Sequence, residues 1–202
     1  MAVVSGRPAS AEPLGLPFGR PLTVDDLDAL AHDDGHRYEL IDGVLVVSPA
    51  PAWAHQAAQG RLCSLLLAAC PRDLRVVAAP FDWRQSQVTK LQPDIIVARF
   101  TALARVAGGR YLAEPPVLAV EVLSPSTRRF DQLAKLSVYE DAGVPSYWLL
   151  DPDPQEPALT AYDLIDGRYR RVADVRGDEA WTAEWPFAVT LVPHDLLEDL
   201  RP

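Results

Sequence analysis

Three short segments carry carboxylates where catalysis can use them, and a lone lysine follows. They are Tyr38-Glu39-Leu40-Ile41-Asp42-Gly43, Gln92-Pro93-Asp94-Ile95-Ile96-Val97, and Val117-Leu118-Ala119-Val120-Glu121-Val122-Leu123-Ser124-Pro125-Ser126, with Lys135 beyond them. Asp94 and Glu121 each interrupt an apolar run of the kind that forms a buried strand. An ionised carboxylate there is costly unless a cation, a metal or several donors meet it. Two such strands side by side make an acidic pocket suited to a hard divalent cation, and such a site can cleave phosphodiesters.

Each residue also has a plainer reading. Asp94 directly follows Pro93 and fits a strand-entry acid. Glu121 lies among Val, Leu and Ala, where glutamate is poorly suited; a structural ion pair would explain it. Asp131 and Lys135 are four apart and fit a surface pair. On a helical wheel both fall at the border of the apolar arc, from which a lysine ammonium can reach the strand ends and orient or deprotonate water. His55 sits on the apolar face of a helix in its first turn, where it is either a satisfied core residue or a holder of substrate phosphate. Glu39 reads equally as an edge residue.

The elements that must position these groups follow from local signals. Thr23-Val24-Asp25-Asp26-Leu27 is a capped helix start, with the helix running to about Ala31. His36 to Ile41 and Val44 to Ser48 flank Asp42-Gly43, a hairpin signal. Ala58, Leu62, Leu65, Leu66 and Ala69 share a helical face within Ala54 to Ala69, which Pro71 ends. Strands are expected over Leu74 to Ala79, Gln92 to Ala98 and Pro116 to Leu123. Ser124-Pro125-Ser126-Thr127 then caps a helix over Arg128 to Asp141, with Phe130, Leu133, Ala134 and Val138 inward. A strand over Ser146 to Leu150 and a small β region (Leu159 to Leu164, Tyr169 to Ala173, Phe187 to Val192) complete the order. The fold class is α/β, with a mixed sheet flanked by helices and a small C-terminal β extension. The domain plan is a flexible tail over 1–20 and a single domain over 21–202, with its core at 23–153 and its β extension at 158–192.

Composition bounds the rest. A chain of 202 residues supports one good core. Its longest uncharged apolar stretch, Leu62 to Cys70, is too short for a bilayer, so no membrane is expected. The N-terminus lacks a basic start followed by an apolar block, which favours a cytoplasmic location. Cys63 and Cys70, two helical turns apart, read as reduced residues. The net charge of −9 runs against the basic surface usual for nucleic-acid binding. The positive residues are nevertheless clustered, at Arg99, Arg105 and Arg110, at Arg128 and Arg129, and at Arg168, Arg170 and Arg171.

As a set, these segments, with Ser48-Pro49-Ala50-Pro51, Asp131 to Lys135, and Tyr139 through Gly143 to Tyr147-Trp148-Leu149-Leu150-Asp151, resemble the Uma-type restriction endonucleases of the PD-(D/E)XK nuclease superfamily. The resemblance spans roughly Thr23 to Asp153. It implies a restriction-endonuclease-like core and a magnesium (or manganese) site on Asp94 and Glu121, with Glu39 as a further acidic member. The superfamily lysine normally stands two residues after the glutamate; here that residue is Leu123, and the basic group is expected from Lys135. The implied activity is metal-dependent hydrolysis of DNA, with Asp94, Glu121, Lys135, Glu39 and His55 as the catalytic group. A homodimer is the expected assembly, since two-fold pairs are the commonest oligomers. The competing readings are a non-catalytic module for self-association or protein binding and a hydrolase of small phosphoesters.

Overall fold

The computed structural model describes residues 19–30, 35–106, 108–125 and 128–200. Most of the expected N-terminal tail lies outside them, as do Ala31 and the cap positions Ser126 and Thr127. Helix α1, Val24–Ala29, begins with a full capping box. The Thr23 side chain accepts from the Asp26 amide, and the Asp26 carboxylate accepts from the Thr23 amide. Strands β1, Arg37–Ile41, and β2, Val44–Ser48, form the hairpin read from Asp42-Gly43. Both turn residues have positive φ, at 50° and 76°, the geometry of a type I′ turn. A Cβ on Gly43 would stand 2.4 Å from Cβ of Pro21. Gly43→Ala is therefore expected to cost at least about 1–2 kcal/mol and to lower Tm by several degrees in a thermal melt.

Helix α2, Trp53–Ala69, follows, then β3, Leu74–Ala78, β4, Asp82–Arg84, β5, Lys90–Leu91, and β6, Ile95–Arg99. After α3, Phe100–Arg105, come β7, Tyr111–Leu112, and β8, Leu118–Val122. The next helix has three parts: α4, Arg128–Phe130, a π-helical turn, Asp131–Lys135, and α5, Leu136–Asp141. Strand β9, Ser146–Asp151, leads to the long hairpin of β10, Ala158–Ile165, and β11, Arg168–Arg176. A second hairpin, β12, Trp181–Ala183, and β13, Val189–Leu191, precedes a 3-10 segment, Pro193–Leu200.

The six-stranded sheet runs β11-β10-β9-β8-β6-β3. It is mixed, as expected: β8 and β9 are parallel, and the remaining pairs are antiparallel. Side-chain alternation divides it into two faces. Leu118, Val120 and Val122 pack with Trp148 and Leu150 beneath Ala58, Leu62 and Leu66 of α2. Ala119 and Leu123 face the other way, with Tyr147 and Leu149, against Tyr139 of α5 and Trp83 of β4. A five-stranded sheet, β2-β1-β5-β4-β7, stands on that second side. The C-terminal β region divides: β10 and β11 extend the main sheet, whereas β12, β13 and the 3-10 segment cover the α2 side.

Two expected core positions are outside it. Leu65 is 38% exposed and Leu133 is 67% exposed. For Leu133 the cause is the π-helical turn, which widens the helix locally and changes which side chains face inward. The residues that do face inward there are Asp131, Lys135 and Tyr139. Cys63 and Cys70 are free and half-buried.

Candidate active site

The β6–β8 ladder stops at the Ile95–Val120 pair, and the next residue on the β6 side is Asp94. Its Oδ2 accepts the Val122 amide at 2.7 Å, so the carboxylate continues the ladder where the strand cannot. Arg37 Nη2 donates to Oδ1 at 2.7 Å, and His55 Nε2 lies 3.1 Å from Oδ2. Gln59 Nε2 donates to the Asp94 carbonyl at 2.7 Å. Burial opposes ionisation of Asp94. The His55 hydrogen bond, the Arg37 charge and the Val122 amide outweigh it and hold the carboxyl at about 2.

Glu121 points from β8 to the same side of the sheet. Its Oε1 accepts from the Tyr139 hydroxyl at 2.8 Å and from Lys135 Nζ at 3.0 Å. Burial pushes its carboxyl well above the ordinary range, with Lys135 pulling the other way. Lys135 is the hub. Its ammonium also lies 2.9 Å from Glu39 Oε1 and 3.4 Å from Asp131 Oδ1. Burial would neutralise such a lysine, but the charges of Glu121, Glu39 and Asp131 hold it protonated above its usual value. Glu39 Oε1 additionally accepts the Gln92 amide at 2.9 Å.

All five residues singled out in the sequence therefore line one cleft of about 160 Å³, together with Arg37 and Asp131. Asp131 and Lys135 are both 2% exposed, which overturns the reading of a surface pair. Beside them the aromatic rings of the second core pack together, Trp83 stacked on Tyr139 at 5.4 Å and Tyr139 tilted against Tyr147 at 4.7 Å. The Tyr147 hydroxyl donates to the Asp131 carbonyl at 3.0 Å, taking up a backbone acceptor of the π-helical turn. π-helical turns recur at functional sites.

Arg37 and Tyr139 were not among the expected site residues. Both had a signal: Arg37 alternates with Glu39 along β1 and so shares its face, and Tyr139 lies one turn beyond Lys135. The basic clusters are neutralised in part. Arg105 pairs with Glu114, Arg128 with Asp151, Arg168 with Glu140 and Arg171 with Asp174.

The chain matches the family model Uma2, described as "Putative restriction endonuclease", over residues 24–192. It belongs to that family. Among solved structures it is similar to one from Anabaena variabilis, titled a "putative nuclease belonging to DUF820". The two share 23% identity and a TM-score of 0.70, over 90% of this chain and 100% of the other. That similarity establishes the fold. No curated protein matches the chain.

Proposed function

We propose that the protein is a divalent-metal-dependent endonuclease acting on DNA, with this cleft as its active site. The observation that carries the reading is convergence: Glu39, Asp94, Glu121 and Lys135, from four separate segments, meet around one cleft. Membership of a restriction-endonuclease family supports it.

The donors suit a hard divalent cation, which prefers oxygen ligands. Four carboxyl groups face the cations Arg37 and Lys135, leaving negative charge for a metal to neutralise. His55 Nδ1, buried and without a hydrogen-bond partner among the described residues, marks a polar group with bonding capacity to spare. Asp94, Glu121 and Glu39 would hold the cation, which supplies Lewis-acid charge stabilisation at the phosphate. Arg37 and the Val122 amide orient Asp94. Lys135, kept protonated, orients the attacking water and offsets phosphate charge; as an ammonium it is not the proton acceptor. His55 steadies Asp94 and has its second nitrogen for substrate. Water adds to phosphorus, the P–O bond to one sugar oxygen breaks, and that oxygen leaves as a hydroxyl carrying the proton the water gives up. The homodimer and the choice of magnesium or manganese belong to the same proposal, and sedimentation equilibrium measures the former.

One observation favours the non-catalytic module. Among the described residues no three His, Cys, Asp or Glu side chains are already disposed around a common ion position; Lys135 Nζ stands between the acids instead. A structural ion-pair network would look the same. Calorimetric titration with magnesium and manganese separates the two. The nuclease reading expects binding in wild type and none in the Asp94→Ala, Glu121→Ala double variant. Wild type that binds neither ion at millimolar concentration supports the module.

A further inference from the structure

Gln92 bonds to the site through both of its backbone groups. Its amide donates to Glu39 Oε1 at 2.9 Å, and its carbonyl accepts from Arg37 Nη1 at 3.1 Å. The other terminal nitrogen of that guanidinium donates to Asp94 Oδ1 at 2.7 Å. One residue therefore meets both Glu39 and the arginine that grips Asp94. Pro93, next in the chain, has a fixed φ and confines Gln92 to extended backbone. A shift at Gln92 thus has few torsions in which to dissipate before it reaches Asp94.

What holds Gln92 is a second charged group, away from the cleft. Strands β4 and β5 pair Arg84 with Lys90 and Trp83 with Leu91, and the same register carried one step further sets Asp82 across from Gln92. The Gln92 side-chain amide donates to Asp82 Oδ1 at 2.9 Å. Asp82 Oδ2 lies 3.2 Å from Lys90 Nζ, which also meets Asp28 of α1 at 2.8 Å. Lys90 is buried, on the two-residue strand β5. Among the described residues, Gln92, Asp82 and Lys90 form no part of the wall of the acidic cleft. Stability is a weak warrant for such a group, because apolar residues of similar volume often serve as well as a buried ion pair. What the pair supplies is direction: Lys90 fixes Asp82, and a fixed carboxylate holds the Gln92 amide in one place.

We infer that Gln92 is a positioning residue for the cleft, and that Asp82 and Lys90 form the clamp that holds it. Pulling Gln92 away from Asp82 shifts its backbone from Glu39 and Arg37, and two of the proposed metal ligands, Glu39 and Asp94, lose their alignment. The metal and cleavage readouts of this role rest on the nuclease reading; the clamp itself does not.

The test exchanges the two groups. Gln92→Glu sets a second carboxylate against Asp82, and like charges in contact repel. Adding Asp82→Asn moves the amide to the other partner and restores an amide-to-carboxylate bond. Magnesium affinity by calorimetry and single-turnover cleavage at saturating DNA are measured on wild type, Gln92→Glu and the double variant, all well below their melting temperatures. Gln92→Glu is expected to weaken magnesium binding and to slow cleavage by about tenfold each, the scale of effect for groups behind a metal ligand, with DNA affinity unchanged. The double variant should return to within about threefold of wild type, because the two positions are coupled. A merely structural role would lower Tm and leave both quantities alone. Wild-type affinity and rate in Gln92→Glu overturn the inference, as does a loss that Asp82→Asn does not repair. Amide exchange of residue 92 in the metal-free protein reads the clamp separately. Its protection is expected to fall about tenfold in Gln92→Glu and to recover in the double variant; unchanged protection overturns the inference. A wild type inert to metal and DNA, with that exchange pattern intact, would remove the nuclease reading and leave the clamp.

Discussion

Asp94→Asn is expected to abolish metal-dependent cleavage and to weaken divalent-metal binding at least about a hundredfold. The estimate is a lower bound, because removing even an outer partner of a metal ligand commonly costs 10–100-fold. Asparagine preserves the shape of the side chain and can still accept the Val122 amide. It removes the negative charge that Arg37 and His55 now meet at 2.7 and 3.1 Å. Stability should also respond to pH in a defined direction. The folded-state pKa of Asp94 is depressed to about 2, so its contribution is present above the unfolded value near 4. That contribution is lost as pH falls through 2, and it amounts to about 2–3 kcal/mol for a shift of this size. Chemical denaturation of the metal-free protein between pH 5 and pH 2 should show a shallower acid limb in Asp94→Asn. An unchanged limb would mean that the Arg37 and His55 contacts do not hold Asp94 ionised.

Lys135→Met carries the second large effect. Lys135 contacts three buried acids, and removing one partner of a buried ionic group typically costs about 3–5 kcal/mol. For a chain of this length that lowers Tm by roughly 6–20 °C. The deficit should depend on pH. Without the ammonium, burial raises the folded pKa of Glu121 further above the unfolded value. Stability is then greatest below about pH 4 and is lost as pH rises through the raised folded pKa, so the variant should fare worse at pH 8 than at pH 5. A divalent cation that draws on the same carboxylates should stabilise Lys135→Met more than wild type, by about 2.7 kcal/mol at a hundredfold excess over Kd. Equal thermal shifts in the two proteins would mean that metal and ammonium do not share ligands.

The sequence was most legible where the signal is local. Thr23 with Asp26, the Asp42-Gly43 turn, and the apolar runs around Ile95, Val120 and Leu149 each state their structure within a few residues. The short helix α3 went unread because it has no side-chain cap at Arg99 to announce it. The larger omission was the inner face of the helix after β8. A wheel of 100° per residue assumes an uninterrupted α-helix. The π-helical turn at Asp131–Lys135 breaks that assumption, so Leu133 faces solvent and Asp131, Lys135 and Tyr139 are buried. Of the site, the carboxylates were readable because acids in apolar strands are anomalous. Arg37 was not, since arginine on a half-buried strand raises no alarm by itself. The pairing of the arginine clusters with acids depends on contacts distant in sequence, such as Arg168 with Glu140, which composition does not encode.

The central claim, that the acidic cleft cuts DNA with a divalent metal, is tested most directly by incubating the purified protein with unpaired and duplex DNA in magnesium, in manganese and in chelator. Glu121→Gln serves as the matched control. Strand scission that requires the metal and disappears in Glu121→Gln is the predicted result. Scission that persists in Glu121→Gln or in chelator would contradict the claim by placing the chemistry elsewhere. No scission of either form by metal-bound wild type would leave the cluster as a structural ion-pair core.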